Sequence, residues 1–533
     1  MYLYLLKLTS FFSALFLTFS IQASDNKSLP HKMLQIMQEK KYAHSIWGMY
    51  VKDLQSGDVL FDLNAQKLFS PASTTKLFSV AALLHSYGDD YRFKTPIYAT
   101  GKIEDGRLQG DLILVAQGDL TMGGREVNRD TIAYTKLDHI NANEVPGVIL
   151  TKENPLQGLN ELAKQVRQSG IREIEGRVLI DISLFETIEK RGLILSPIMI
   201  NENLIDIVIN PTIVGQRAIL TWRPVVANYE VKNQITTVAK DGPLNINISA
   251  DETGHSIILH GTIPINQRNV VRTSPIKDPK TFAQAALIAA LQEQGITIKP
   301  TNFDDNSRIK VNQKLSDYDS DNLKQVALWT SAPLSEYAKL ILKVSHNLGA
   351  NLVPLLLAAR DDKKTFSDGM LLLGDFALKQ VKLPKDTFVF GDAAGGNENR
   401  LTPQATVQLL EYLKMQKPLF FESFFKSLPI LGVDGSLEDF AKKEAAAGNV
   451  RAKTGTGVGF NLATNNYFLI TQALAGYVEG KNGHLYAFSI IVNNASMPTI
   501  NDIFPIFEDL SQLSSVIYNY SKTTEVTPKP IDN

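Results

Sequence analysis

Ser73-Thr-Thr-Lys76 stands between Pro71 and an apolar stretch in which Leu77, Val80, Ala81 and Leu84 recur at helical spacing, and Gly88 closes that stretch. The pattern predicts a helix from Ser73 to Tyr87, with Ser73 at its N-terminus and Lys76 one turn along on the same side. A serine hydroxyl beside an amine is a nucleophile beside a base. The spacing alone carries little weight, because S-x-x-K recurs at Ser24–Lys27, Ser274–Lys277, Ser307–Lys310 and Ser423–Lys426. Two later segments give it weight through their order and setting. A helical pattern running from Leu334 to Arg360 is interrupted near Ser345–Gly349, where Ser345-His-Asn347 stands, and Lys453-Thr-Gly455, a K-T-G found once, precedes two strand-like runs.

Working outward, residues 46–54 read as a strand, Ser56-Gly57 as a turn and Val59–Asp62 as the returning strand. Near the end, Phe468–Val478 and Leu485–Asn493 read as paired strands joined around Gly480–Gly483, and Ile503–Tyr520 as a closing helix. The stretch 93–323 carries strand-like runs such as Asp111–Ala116 and Val178–Asp181 with turn signals between them, and 302–322 is polar. The expected fold class is α/β (α+β). One domain in two parts, 24–92 and 324–521, is split after the Ser73 helix by a mostly β insert at 93–323 of two subdomains.

Composition narrows the function classes. With 533 residues, 44% hydrophobic and 20% charged, the chain is globular and too long for one compact core. A net charge of -1 gives no broad basic surface, so nucleic acid is not an expected partner. The absence of cysteine excludes disulfides, thiol nucleophiles and thiolate metal sites. Lys7 is the sole charge before Asp25, and Phe11–Ile21 is apolar, so residues 1–23 are expected to form an export signal cut after Ala23. That run is short beside the ~20 apolar residues of a membrane span, and no stable transmembrane anchor is expected. The mature protein is expected outside the cytoplasm, in the periplasm. The polar tail 522–533, with Pro528 and Pro530, is expected to be disordered.

The chemistry of the constellation is that of acyl transfer. Burial and a second cation, Lys453, favour the neutral amine that Lys76 needs to act as a base. The Ser73 N–H, at a helix start, can stabilise an oxyanion, and a second N–H comes from the strand carrying Lys453–Thr456. Ser345 can relay a proton to a leaving amine. Asn347 can hold Lys76 and bind a substrate amide. Lys453 offers a positive field to a substrate carboxylate, with the Thr454 and Thr456 hydroxyls as donors, and Gly455 lets a ligand approach the strand. Each segment also has a purely structural reading: Ser73 or Ser345 as a helix cap, Lys76 as a solvated lysine, His346 as a surface histidine. Ser320-Asp-Asn322 is a rival second motif, but its polar surroundings lack the rigid elements a precise site needs.

S-x-x-K, S-x-N and K-T-G in this order form the signature of penicillin-interacting enzymes. The chain further resembles class C low-molecular-mass penicillin-binding proteins, the D-Ala-D-Ala carboxypeptidase/endopeptidase family. The resemblance rests on Pro71-Ala-Ser-Thr-Thr-Lys-Leu77, Gly110-Asp-Leu-Ile-Leu-Val115 with Gly118-Asp119, and Gly170-Ile-Arg-Glu-Ile-Glu-Gly176 with Asp181. Leu431-Gly-Val-Asp-Gly-Ser436, Ala452-Lys-Thr-Gly-Thr456 and Ala475-Gly-Tyr477 extend it to the C-terminal half. It implies a transpeptidase/β-lactamase-like domain and cleavage of D-Ala-D-Ala bonds or D-amino-acid cross-links in peptidoglycan stem peptides, through an acyl-enzyme on Ser73. β-Lactams are implied inhibitors, and no metal or cofactor is implied. His346 stands where the family has Asp and is expected to face away from the cleft. Asn351 stands near a common Glu, and Asp392-Ala-Ala-Gly-Gly396 replaces an Asp-Gly-Ser-Gly loop. That change is expected to leave the nucleophile, base and carboxylate site untouched.

Competing readings are a serine β-lactamase or esterase on the same core, and a peptidoglycan-binding protein of weak turnover. A β-lactamase needs a water-activating group, and Ser345 in place of a tyrosine disfavours it. A zinc peptidase is disfavoured because none of the eight histidines forms an H-E-x-x-H or i,i+4 pair. The sequence leaves the oligomeric state open.

Overall fold

Alternation along the strands sets the architecture. In Ile46–Asp53, Trp47, Met49 and Val51 point to one side and are buried with Leu510 and Ile517 of the helix Ile503–Tyr518. In Asn466–Glu479, Leu474 and Val478 join that same side, whereas Ala475 and Tyr477 join the opposite core with Leu77, Val80 and Leu84. A two-residue period thus puts apolar side chains on both faces, and helices cover both. The computed structural model, which describes residues 29–299 and 314–520, has a five-stranded antiparallel sheet in the order Val59–Leu63, Ile46–Asp53, Leu485–Ser496, Asn466–Glu479, Val450–Asn461. The Lys453 strand lies at the edge.

The expected helix at Ser73 begins as a 3₁₀ turn, Ala72–Thr75, and continues as the α-helix Lys76–Tyr87, capped by Gly88 at φ +85°. The second helical pattern is broken more tightly than expected. Leu334–Lys343 and Asn347–Arg360 are separated by three residues only, and Gly349 lies inside the second helix.

The insert is mostly β, with helices Gln157–Gln168 and Pro279–Glu293 packed on it. One of its two four-stranded sheets runs Val178–Asp181, Leu112–Val115, Lys94–Ala99, Lys324–Thr330. The last of these strands pairs antiparallel with Lys94–Ala99, so residues 324–330, assigned by sequence to the second part of the split domain, belong by pairing to the insert's sheet. Two three-stranded sheets follow, around Leu204–Asn210 and Ser256–Pro264. Both share one apolar core with the first sheet, through Ile207, Ile235, Leu259, Phe282 and Trp329. Asp119 ties the insert to the second-motif helices: its carboxylate accepts from Tyr337 Oη at 2.6 Å and Trp329 Nε1 at 3.1 Å.

No helix among the described residues is long and apolar enough to cross a membrane. The expected signal segment 1–23, the S-x-x-K matches at Ser24 and Ser307, most of the polar stretch 302–322 and the tail 522–533 lie outside the described residues.

Candidate active site

Five side chains from three segments meet at one cleft. The Lys76 amine lies 2.6 Å from Ser73 Oγ, 2.7 Å from Asn347 Oδ1 and 2.9 Å from the Ala394 carbonyl oxygen. Two of these partners are oxygens that only accept. A neutral amine has two N–H bonds for them and one lone pair left, which the Ser73 hydroxyl can meet as donor. Burial, the Lys453 cation and the Arg191 cation push the Lys76 amine well below its ordinary range, against the pull of Asp392. Geometry and electrostatics agree on a lysine suited to accept the serine proton.

Lys453 is fully buried, with its Nζ 2.9 Å from Ser345 Oγ and 2.7 Å from the Thr454 carbonyl oxygen. Burial brings its amine down to about 7. Ser345 reaches it because its backbone is left-handed, at φ +63°. That conformation costs a non-glycine residue about 1–2 kcal/mol. The helix cap is His346, not Ser345: its Nδ1 accepts from Gly349 N–H at 3.0 Å. His346 faces away from the cleft as expected, but it is fully buried rather than a surface residue.

Gly455 is needed for close packing. A Cβ there would lie 2.3 Å from the Pro71 carbonyl oxygen and 3.2 Å from Ser73 N, so any side chain would push the Lys453 strand off the Ser73 turn. The strand is at the sheet edge, where alternate N–H groups lack strand partners and can join the Ser73 N–H as oxyanion donors. Thr454 Oγ1 lies 3.0 Å from Ser436 Oγ, and Thr456 Oγ1 donates to Gln472 Oε1 at 3.0 Å on the neighbouring strand.

The loop Asp392–Gly396 lies against the nucleophile and the base: the Ala394 carbonyl bonds Lys76, and Gly395 packs on Ala72 and Ser73. The contact is made by backbone, so no side-chain signal announced it. Asp392 Oδ1 gathers the loop by accepting N–H groups of Ala394, Gly395 and Gly396 at 3.1, 2.7 and 2.7 Å. Asn351 Oδ1 accepts from Ala393 N–H at 3.2 Å. Arg191, at the tip of an insert hairpin, reaches the Gly395 carbonyl at 3.3 Å. Arg191, Ser436 and the Ala394 carbonyl were not picked out by sequence reasoning.

Competing matches lie elsewhere. Ser320-Asp-Asn322 forms an exposed 3₁₀ turn. In Ser423–Lys426 the lysine pairs with Glu422 on its own helix, and Lys277 bonds the Asp251 carbonyl oxygen.

The cleft sets a serine hydroxyl beside a buried amine, an arrangement suited to a serine-type hydrolase. The chain belongs to the D-Ala-D-Ala carboxypeptidase 3 (S13) family, whose model matches residues 29–505. It is thus a peptidase, a serine-type D-Ala-D-Ala carboxypeptidase. It is similar to penicillin-sensitive carboxypeptidase A of Dictyostelium discoideum, with 23% identity over 475 residues covering 85% of this chain and 83% of that protein. A D-alanyl-D-alanine carboxypeptidase of Actinomadura sp. (strain R39) is 23% identical over 495 residues, covering 87% and 80%. The crystal structure of penicillin binding protein 4 from Haemophilus influenzae shares the fold, with a TM-score of 0.68 at 19% identity over 92% of this chain and 99% of that one.

Proposed function

We propose that Ser73 is the nucleophile of this carboxypeptidase and Lys76 its base. Ser73 Oγ attacks the carbonyl carbon of the penultimate D-Ala while its proton passes to the Lys76 amine. The C–N bond then breaks, and the proton reaches the departing D-Ala amine by way of Ser345. Water hydrolyses the ester in the reverse sense. The Ser73 N–H and an N–H of the Lys453–Thr456 strand hold the oxyanion. Lys453 takes the terminal carboxylate, with Thr454 and Thr456 beside it, and Asn347 both holds Lys76 and meets the substrate amide. The observation that carries this reading is the Lys76 amine, buried between Ser73 Oγ, Asn347 Oδ1 and the Ala394 carbonyl.

Peptidoglycan stem peptides are the proposed substrates, with cross-link cleavage as a related activity, and β-lactams the proposed acylating inhibitors. The proposed setting is outside the cytoplasm, after removal of residues 1–23. The proposed organisation is one enzyme domain interrupted by the insert. Asp392, the loop carboxylate nearest the site, is committed to three backbone N–H groups, which supports a slowly hydrolysed β-lactam adduct over β-lactamase turnover. The test compares D-Ala release from a peptide ending in D-Ala-D-Ala with release from the same peptide as a C-terminal amide. The free carboxylate is expected to be strongly preferred; equal handling would refute the role of Lys453.

A further inference from the structure

The second motif is tied to the insert by a buried ionic cluster. His346 Nε2 lies 2.7 Å from Glu202 Oε2, although the two residues are 144 apart in sequence. The same oxygen accepts from His139 Nε2 at 2.7 Å and Arg125 Nη2 at 2.9 Å, and Arg125 Nε bonds Oε1. Arg125 also grips both oxygens of Asp138, at 2.8 and 2.9 Å. Asp206 takes His139 Nδ1 at 2.7 Å and Arg223 Nε at 3.1 Å. His139, held between two carboxylates, is a double donor and therefore an imidazolium. Burial disfavours that charge, but Asp206 and Glu202 raise it to about 10. Three carboxylates are balanced by Arg125, Arg223 and the His139 imidazolium.

Asp138, His139 and Glu202 are also spaced as metal ligands could be. The donor set argues against an ion there. The Arg125 guanidinium already occupies the carboxylate oxygens that an ion would need. His346 Nδ1 accepts the Gly349 N–H, which puts the ring proton on Nε2 and leaves that nitrogen no lone pair. The cluster is complete as an ion-pair network.

Strain marks both ends of the His346–Glu202 link. Asn201, Glu202 and Asn203 are left-handed in succession, at φ +50°, +58° and +57°, and Ser345 is left-handed beside His346. Strained backbone of this kind persists where its surroundings over-determine it. We propose that Glu202 of the insert is a positioning residue for catalysis: through the buried His346 side chain it holds Ser345 against Lys453 and Asn347 against Lys76. The insert thereby completes the geometry of a site to which Glu202 contributes no contact with substrate. This inference rests on the proposed roles of Ser73 and Lys76.

The two nitrogens of His346 can be separated experimentally. His346→Asn keeps an N-cap acceptor in the place of Nδ1 but loses the reach to Glu202. His346→Gln keeps a donor in the place of Nε2. The assay is acylation by benzylpenicillin, followed by intact mass, with adduct stoichiometry giving the folded fraction and the rate read on that fraction. H346N is expected to acylate about 10- to 100-fold more slowly, the loss that ~1 Å of misplacement brings. Its acid limb in the pH–rate profile is expected to move down, because a loosened Asn347 withdraws an Oδ1 acceptor that favours the ammonium form of Lys76. Lys453, Arg191 and Asp392, which also act on Lys76, are unchanged in the variant. H346Q is expected to recover most of the rate.

A merely structural role would lower the adduct stoichiometry and leave rate and limb alone. That result, or equal losses in H346N and H346Q, would overturn the proposal. If H346N does not fold, E202D decides: it keeps the charge but withdraws the carboxylate, and a wild-type rate and acid limb would refute the link. Failure of the wild type to form a Ser73 adduct would instead refute the reading on which the inference rests.

Discussion

Gly395→Ala probes how the altered loop supports the reacting serine. Gly395 sits at φ +98°, and a Cβ there would lie 1.9 Å from the Ala72 carbonyl oxygen and 2.8 Å from Ser73 N. Real Cβ contacts essentially never fall below 3.0 Å, so the loop and the Ser73 turn must part by about 1 Å. A displacement of that size at reacting groups costs about 10²-fold in rate. The atoms in the way are backbone, so no rotamer change absorbs the clash. The left-handed conformation and the contact together are expected to cost about 1–3 kcal/mol of stability. The rate of benzylpenicillin acylation should therefore fall about 100-fold while the variant still folds. The control is Gly374→Ala, a helical position with open space around the added methyl group, which should acylate normally and gain up to about 1 kcal/mol of stability. Acylation of G395A within twofold of wild type would refute the claim that this loop's backbone sets the position of Ser73.

Three further outcomes are expected. Ser73→Ala and Lys76→Ala should each abolish adduct formation while circular dichroism stays native, and an unchanged acylation rate in either would remove that residue from the mechanism. Ser345→Ala should slow acylation by about 10²-fold or more, as loss of a positioned proton-transfer group does, while Ser320→Ala should do nothing; the reverse would move the second motif. Activity should follow a bell in pH. The acid limb arises because Lys76 must be neutral. The alkaline limb begins near 7, where Lys453, brought down by burial to about 7, loses the charge that binds a carboxylate. Substrates with an amidated C-terminus should lack the alkaline limb, and a shared limb would contradict the assignment.

The three motifs were legible because each is a short run whose setting can be read locally: a helix start, a helix break and a strand. Ser345 won over Ser320 in the sequence for the reason visible in the fold, since rigid helices flank it. What escaped the sequence was made by backbone or by distance. The Ala394 carbonyl is a ligand of Lys76 that any residue could provide. Glu202 meets His346 only because the insert folds back onto the second motif. The strand at 324–330 was assigned by its position after a polar stretch, but its partner, Lys94–Ala99, lies more than 200 residues earlier. Pairing over such a span leaves no local signal.

The most direct measurement is intact-mass analysis after exposure to benzylpenicillin, followed by peptide mapping of the adduct. The account predicts one long-lived adduct, located on the peptide that contains Ser73. An adduct on any other residue, or no adduct with the penicillin left intact, would contradict it.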